Sequence, residues 1–271
     1  YETDVYDAEN WSIRSWHNGI MLQRVIGADF SGLAVEGWLK GRLFHVDGRN
    51  YNGNYVKIGS LSGYCGSDLG QFTRTITSKV NSGAHSTAAQ RTEITISSAI
   101  DFDIKESLIK IGTKYHLVVS NAGNKLTVYP WVTDTGTTMS IMYGGILKTT
   151  GDNSNVITVK QVRGYRSANT YAYDTAYGVT IDSFGGEFCA NALQRGLTPE
   201  SSVGVLDVKM WYTEVNDTDI IDVMPDNSFA PITISNYTGL ISGSFVTKVI
   251  KLAPIDNAAN PVSGVLANVS L

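Results

Sequence analysis

The sequence predicts an all-β fold built of β-sandwich-like modules, and three observations carry that prediction. Apolar patterns of period 3.6 and useful length are almost absent. Short stretches rich in Thr, Ile, Val and Tyr recur along the whole chain, bounded by Gly, Ser and Asn. Glycine outnumbers proline by 27 to 6, as many tight turns require.

Taken in order, residues 4–11 and 187–195 (around Phe188 and Leu193) carry the best helical patterns, and both are short. Strands are expected over 33–46, 55–61, 72–80 and 91–97. Residues 115–120 and 125–132 flank Asn121-Ala122-Gly123-Asn124, which reads as a hairpin loop. Pro130 cannot donate to a ladder, so the second of these strands ends or edges there. Further strands are expected over 155–163, 177–182, 203–215, 231–235, 245–253 and 264–271. No repeat of fixed period stands out, which disfavours a propeller or a regular solenoid. Composition shifts at 148–155, dividing the chain into an N-terminal β-rich module, 1–150, and a C-terminal one, 151–271.

Charged residues make up 17% of the 271-residue chain, below the roughly 25% usual for soluble domains. Ser, Thr, Asn, Gly and Tyr must cover the surface instead, a composition that suits secreted or virion-surface β-proteins better than cytosolic enzymes. The net charge of −4 and the lack of a basic run argue against nucleic acid as a partner. No run of about 18 apolar residues is present, so no membrane insertion by a helix is expected. The chain opens Tyr1-Glu2-Thr3-Asp4, without Met or a basic leader, and reads as a fragment or a processed product. Its last residues are apolar and strand-like. With the low surface charge, they leave edges for another copy to cover, so a homotrimer is expected. Cys65 and Cys189, far apart in sequence, read as two free buried thiols, with one bridge as the alternative.

Catalytic and metal motifs are mostly missing. His17, His45, His85 and His116 lack ligand spacing, and His45 and His116 sit in apolar strands as packed residues; no metal and no cofactor are expected. No phosphate loop or nucleophile elbow is present. Asp101 with Asp103, and Asp217, Asp219 and Asp222, are the acid groupings a glycosidase could use. Each lies beside a loop, where acids ordinarily form solvated turns. The Asp217–Asp222 run lacks the Gly and distal Glu of a calcium loop. The chain is therefore expected not to be an enzyme.

Aromatic residues point to a binding surface. Arg163, Tyr165, Arg166, Asn169, Tyr171, Tyr173, Asp174 and Tyr177 crowd one polar segment. Tyr51, Tyr55 and Tyr64, with Asp47, Arg49, Asn50, Asn52 and Asn54, form a second set. A sugar presents apolar C–H faces and rings of hydroxyls, and flat aromatic faces interleaved with Asn, Asp and Arg match both. The first set is the expected receptor site and the second ranks behind it. The bland reading is Tyr side chains capping strand ends.

Residues 43–132 resemble a β-module common in bacteriophage tail fibres and related host-recognition proteins. The resemblance lies in Tyr55-Val56-Lys57-Ile58-Gly59-Ser60-Leu61, in the Thr-rich stretch Phe72–Val80, in Arg91–Ser97 and in the paired stretches Tyr115–Ser120 and Lys125–Val132. It implies a homotrimeric fibre tip of intertwined β-modules on the virion tail, outside the cell. Such a tip adsorbs to bacterial surface polysaccharide of O-antigen type, or to an outer-membrane protein, without cleaving it. Some fibres of this kind lose a self-cleaving C-terminal chaperone, and an ending at Val269-Ser270-Leu271 is what such processing would leave. Two other readings compete: a tailspike-like polysaccharide depolymerase using Asp217, Asp219 and Asp222, and a secreted lectin or adhesin module.

Overall fold

The computed structural model describes residues 11–49, 53–64, 71–84, 89–151, 154–174, 177–189, 191–198, 204–214, 218–222, 232–241, 244–246, 252–254 and 268–269. All regular structure among them is β. It falls into a coiled stack of parallel strands and a closed antiparallel barrel. The all-β prediction stands. The stack, however, is a solenoid, the architecture the sequence reading disfavoured.

Each coil of the solenoid contributes one strand to each of two walls. The first wall stacks Val56–Tyr64, Asn155–Tyr165, Tyr177–Glu187, Leu206–Glu214 and Ile232–Ile241 in parallel. The second stacks Gly145–Thr150, Asn169–Tyr173, Asn191–Arg195, Thr218–Asp222 and Leu252–Pro254, also in parallel. The long strand Asp29–Asp47 belongs to both walls. Its first part pairs with Val56–Tyr64, and its last part pairs with Gly145–Thr150 and with Trp11–Gln23.

Side chains stack in rows between the walls. On the first wall Val56, Ile157, Val179, Leu206 and Ile232 form one row, and Ile58, Val159, Ile181, Val208 and Ile234 the next. Leu61, Val162, Phe184 and Trp211 form a third, with the Phe184 and Trp211 rings 4.5 Å apart. Facing them on the second wall are Phe44, Leu147, Tyr171, Leu193 and Ile220. All are buried in one core. A repeat therefore exists in the sequence, with apolar residues two and then three positions apart at the start of each first-wall strand. Its spacing is uneven, and residues 65–144 interrupt it between the coils of Val56 and Ile157, so no fixed period shows.

The coils turn from the first wall to the second in short corners that begin at Arg166 and Phe188. Arg166 and Phe188 take left-handed backbone there, with φ of 51° and 53°. Gly164 precedes one corner because a Cβ at that position would lie 2.5 Å from Thr170 Oγ1. The helix expected over 187–195 is instead the end of one strand, this corner and the strand Asn191–Arg195. The other expected helix, 4–11, falls outside the described residues apart from Trp11, which begins a strand.

At the same corner, the coil of Val56–Tyr64 and Gly145–Thr150 carries the barrel in place of a three-residue turn. Its strands run Lys125–Tyr129, Arg91–Ile96, Gln71–Ser82, Thr138–Met142, Leu108–Ile111 and Lys114–Ala122 around the closed ring. Ile76, Ile94, Ile109, Val118, Leu126, Met139 and Ile141 are among the residues filling it. Asn121–Asn124 joins two antiparallel barrel strands, and the strand before Pro130 stops at Tyr129. The barrel docks by its outer face: Leu108, Tyr115, Leu117 and Tyr129 enclose Ala168 from a solenoid corner. The expected boundary at 148–155 falls within the solenoid, whose strands pair across it.

Candidate functional site at the junction of barrel and solenoid

The eight residues expected to bind a receptor separate into three groups. Asn169, Tyr171, Tyr173 and Asp174 are buried, and this corrects their placement on a surface loop. The segment is a second-wall strand with its neighbours packed on either side. Tyr171 and Tyr173 stack at 5.1 Å inside the solenoid, and Tyr171 hydrogen-bonds Thr149 Oγ1 at 2.7 Å. Burial pushes the Tyr171 hydroxyl well above its ordinary pKa. Asn169 donates to Gln194 Oε1 at 3.0 Å, and the Gly151 amide donates to Asp174 at 3.0 Å. Nothing is described of the Tyr177 side chain.

Arg163, Tyr165 and Arg166 do reach the surface, at a corner. Arg163 pairs with Glu187 at 2.8 Å. The Tyr165 ring meets Phe188 edge-on at 5.6 Å, and the Arg166 guanidinium lies 5.1 Å from the Tyr165 centroid and 5.8 Å from that of Phe188. Phe188 is 43% exposed, a large apolar ring held outward by its left-handed corner. It was absent from the expected site because the segment containing it read as a helix.

The second aromatic set divides as well. Tyr55 is exposed; residues 50–52 lie outside the described residues, and nothing is described of the Tyr64 side chain. Asp47 and Arg49, however, belong to a charged network beside a cavity of about 400 Å³. Arg42, His45, Arg49 and Lys148 from the solenoid line it, together with Asp103, Lys105, Glu106 and Ser107 from the barrel. Asp103, set aside in the sequence as a turn former, thus stands on the cavity wall. Asp101 is exposed. Asp217 is outside the described residues, and nothing is described of the Asp219 and Asp222 side chains.

Glu106 is the centre of this network. It is 5% exposed and takes left-handed backbone, with φ of 66°. Strain of this kind is retained where the surroundings over-determine it. Arg49 Nη1 donates to its Oε1 at 2.9 Å, and Lys148 pairs with its Oε2. Its backbone carbonyl accepts from Gln194 Nε2 at 3.0 Å, so a barrel residue is tied to two solenoid coils. Burial raises the Glu106 pKa, but Lys148 and Arg49 outweigh it and leave the carboxyl below its ordinary range. Burial likewise pulls the Lys148 ammonium below its usual value, against the pull of Glu106.

His45 and Asp47 are joined through Thr150. Thr150 Oγ1 donates to Asp47 Oδ1 at 2.8 Å, and His45 Nε2 lies 3.0 Å from the same hydroxyl. Burial, then the Lys148 charge, lowers the His45 pKa to about 3, so the ring is neutral at physiological pH. Burial alone would raise Asp47. Hydrogen bonds from Gln23 and Thr150 outweigh that and hold it at about 2. The second buried histidine, His116, sets Nδ1 3.2 Å from the Pro130 carbonyl. The Cys189 thiol is buried, 3.3 Å from Ser167 Oγ, and Cys65 lies outside the described residues.

No protein-family model matches this chain, and no curated protein sequence does. Among solved structures, the Gp54 tailspike of Acinetobacter baumannii bacteriophage AP22, in complex with A. baumannii capsular saccharide, shares 11% identity at a TM-score of 0.23. The alignment covers 86% of this chain and 53% of the tailspike chain, so the chain spans about half the tailspike's length. The expectation of a non-enzyme is withdrawn on that neighbour. At this TM-score the likeness assigns no activity and no fold in its place.

Proposed function

We propose that this chain is a receptor-binding protein of a bacteriophage tail that adsorbs to bacterial surface polysaccharide as a homotrimer. The observation that carries the reading is the corner cluster of Tyr165, Arg166 and Phe188. It pairs aromatic faces with a guanidinium at the solvent edge of a stacked β-scaffold. A sugar ring needs such a face for its C–H groups and such a donor for its hydroxyls. Arg163, on the coil of Tyr165, adds a second donor, although it also holds Glu187. The scaffold is rigid because each coil is hydrogen-bonded to the next, so the corner is fixed before the ligand arrives.

The trimer is supported by a second surface feature. Ile26, Tyr55, Val156 and Val205 are exposed at 64%, 61%, 49% and 44%, all beside the return turns into the first wall. An apolar row of this kind is what a partner copy would cover. Three copies would raise avidity over a single weak sugar site by roughly 10²–10⁴.

The test is binding to purified surface polysaccharides and to the cells that carry them, with mass by light scattering in parallel. Tyr165→Ala and Phe188→Ala should each weaken binding while mass and melting temperature stay those of the parent protein. Unchanged binding in both variants would show that the corner is not the site. A monomer at micromolar concentration removes the trimer. The length of the recovered polysaccharide, read in the same incubation, reports whether the chain also cuts its ligand.

A further inference from the structure

The corner cluster does not end at Phe188. Two rows of the first wall run from it across the coils. One pairs Tyr165 with Glu187 and Glu187 with Glu214; the other pairs Arg163 with Gly185 and Gly185 with Tyr212. Gly164, Gly186 and Thr213 lie between the rows in sequence and are buried, whereas Tyr165, Glu187, Tyr212 and Glu214 are half-buried and Arg163 is exposed. Alternation along a strand therefore turns both rows away from the core.

Glutamates in register on neighbouring strands are costly, because like charges directly opposite repel. Arg163 Nη2 donates to Glu187 Oε1 at 2.8 Å, and the Tyr212 hydroxyl donates to Glu214 Oε2 at 2.6 Å. The Tyr212 hydroxyl is pushed up to about 12, first by that hydrogen bond, then by burial and by the charges of Glu214 and Glu187. Both carboxylates thus bear on one phenol. Among the described residues, Glu187 Oε2 and Glu214 Oε1 have no hydrogen-bond partner. The Arg166 guanidinium, at the head of the rows, meets only the Tyr165 and Phe188 rings among them.

The face therefore offers acceptors on Glu187 and Glu214, donors on Arg166, and two phenol rings, Tyr165 and Tyr212. Its two arginines and two glutamates balance in charge. The matching ligand donates and accepts hydrogen bonds, presents apolar faces and carries no charge of its own. We propose that this face selects uncharged sugar units, with Glu187 and Glu214 accepting from neighbouring ring hydroxyls and Tyr212 adding a second stacking surface beside the corner. The proposal rests on the polysaccharide reading above and specifies the sugar class. Strands about 4.8 Å apart hold the two carboxylates at a spacing that two hydroxyls of one ring can bridge. A sugar carboxylate in the same place would be a third like charge.

The experiment is calorimetric titration of the full chain with D-glucose, D-galactose and D-mannose, each against its uronate, with Tyr165→Ala and Glu214→Gln in parallel. At least one hexose should bind, and its uronate at least about tenfold more weakly, since like charges brought together oppose binding. Glu214→Gln keeps the shape of the side chain. It should weaken the hexose and remove most of the discrimination against the uronate. Its melting temperature should hold or rise, because a like-charge pair is gone. A uronate that binds as well as its parent hexose, or unchanged discrimination in Glu214→Gln, overturns the proposal. If Tyr165→Ala still abolishes hexose binding in either case, the receptor reading stands and only the charge selection falls. If no sugar binds at millimolar concentration, both fall.

Discussion

The two walls of the solenoid are built from the same coils, yet their strands look unlike. On the first wall burial alternates: in Leu206–Glu214, the buried residues Leu206, Val208 and Trp211 are separated by half-buried or exposed ones. On the second wall, Asn169–Tyr173 and Asn191–Arg195 are buried at every position. The first wall has one face in the core and one in solvent. The second is covered on both faces, by the core within and by the barrel at its outer corner. A strand covered on both sides loses the alternation by which half-buried strands are recognised. Here it also carries polar residues such as Asn169, Gln194 and Arg195 into the interior.

The comparison breaks most visibly on the first wall. Trp211→Ala should cost about 3–5 kcal/mol, because it opens a large cavity against Phe184. Met210→Ala, one residue away and 55% exposed, should stay within about 0.5 kcal/mol. Denaturant melts of the two variants check the alternation directly; equal losses would mean that the strand is not half-buried.

The second wall should be the more sensitive to pH. His45 is held at about 3, against an ordinary value of 6.5. Between these values the unfolded chain takes up a proton that the folded chain excludes. Stability should therefore fall as pH is lowered through this window, by up to about 1.4 kcal/mol per unit. Glu106 and Asp47 act below it: their carboxyls are depressed in the fold, so their contribution is complete above their ordinary values and is lost as pH falls through the folded ones. His45→Gln should flatten the stability curve between about pH 5 and 6.5 while leaving the steeper acid limb. An unchanged slope in that variant would place the titration elsewhere.

Much of the first wall was legible in the sequence. The sequence predicts strands over 155–163 and 203–215, and the strands Asn155–Tyr165 and Leu206–Glu214 lie there. Their assembly was not legible, since parallel pairing joins Val56 to Ile157 across the whole barrel. The second wall was misread for a physical reason. Asn169–Tyr173 is polar and aromatic, a composition that signals a solvated loop unless its partners are known. Its partners are other coils, whose register no local pattern reveals. The candidate site shows the same division. The half-buried corner residues Tyr165 and Arg166 form a local cluster that the sequence itself displays. Glu106, Lys148 and Arg49 come together only when the barrel meets the wall.

Two smaller changes sharpen the contrast. Tyr171→Phe removes the hydrogen bond with Thr149 while keeping the stacked ring, and should cost about 1 kcal/mol. A larger loss would mean that the hydroxyl anchors more than one neighbour. Val156 is a half-exposed β-branched residue at φ 54° near the start of the strand Asn155–Tyr165. Val156→Gly should gain about 0.5–1 kcal/mol by relieving that backbone. A destabilised variant would show that the exposed side chain is held by a partner copy, and its concentration dependence would identify the contact.

The position of the barrel has a consequence for how the chain folds. Closing a disordered loop as long as residues 65–144 would cost about 3 kcal/mol more than closing a three-residue corner. Once the barrel has formed, its first and last strands, Gln71–Ser82 and Thr138–Met142, are paired with each other, so its two ends lie together. The long detour then behaves as a short tether. Barrel formation would in this way set the pace for zipping the early coils onto those that follow, and the cavity between the two units would take shape only as that closure completes.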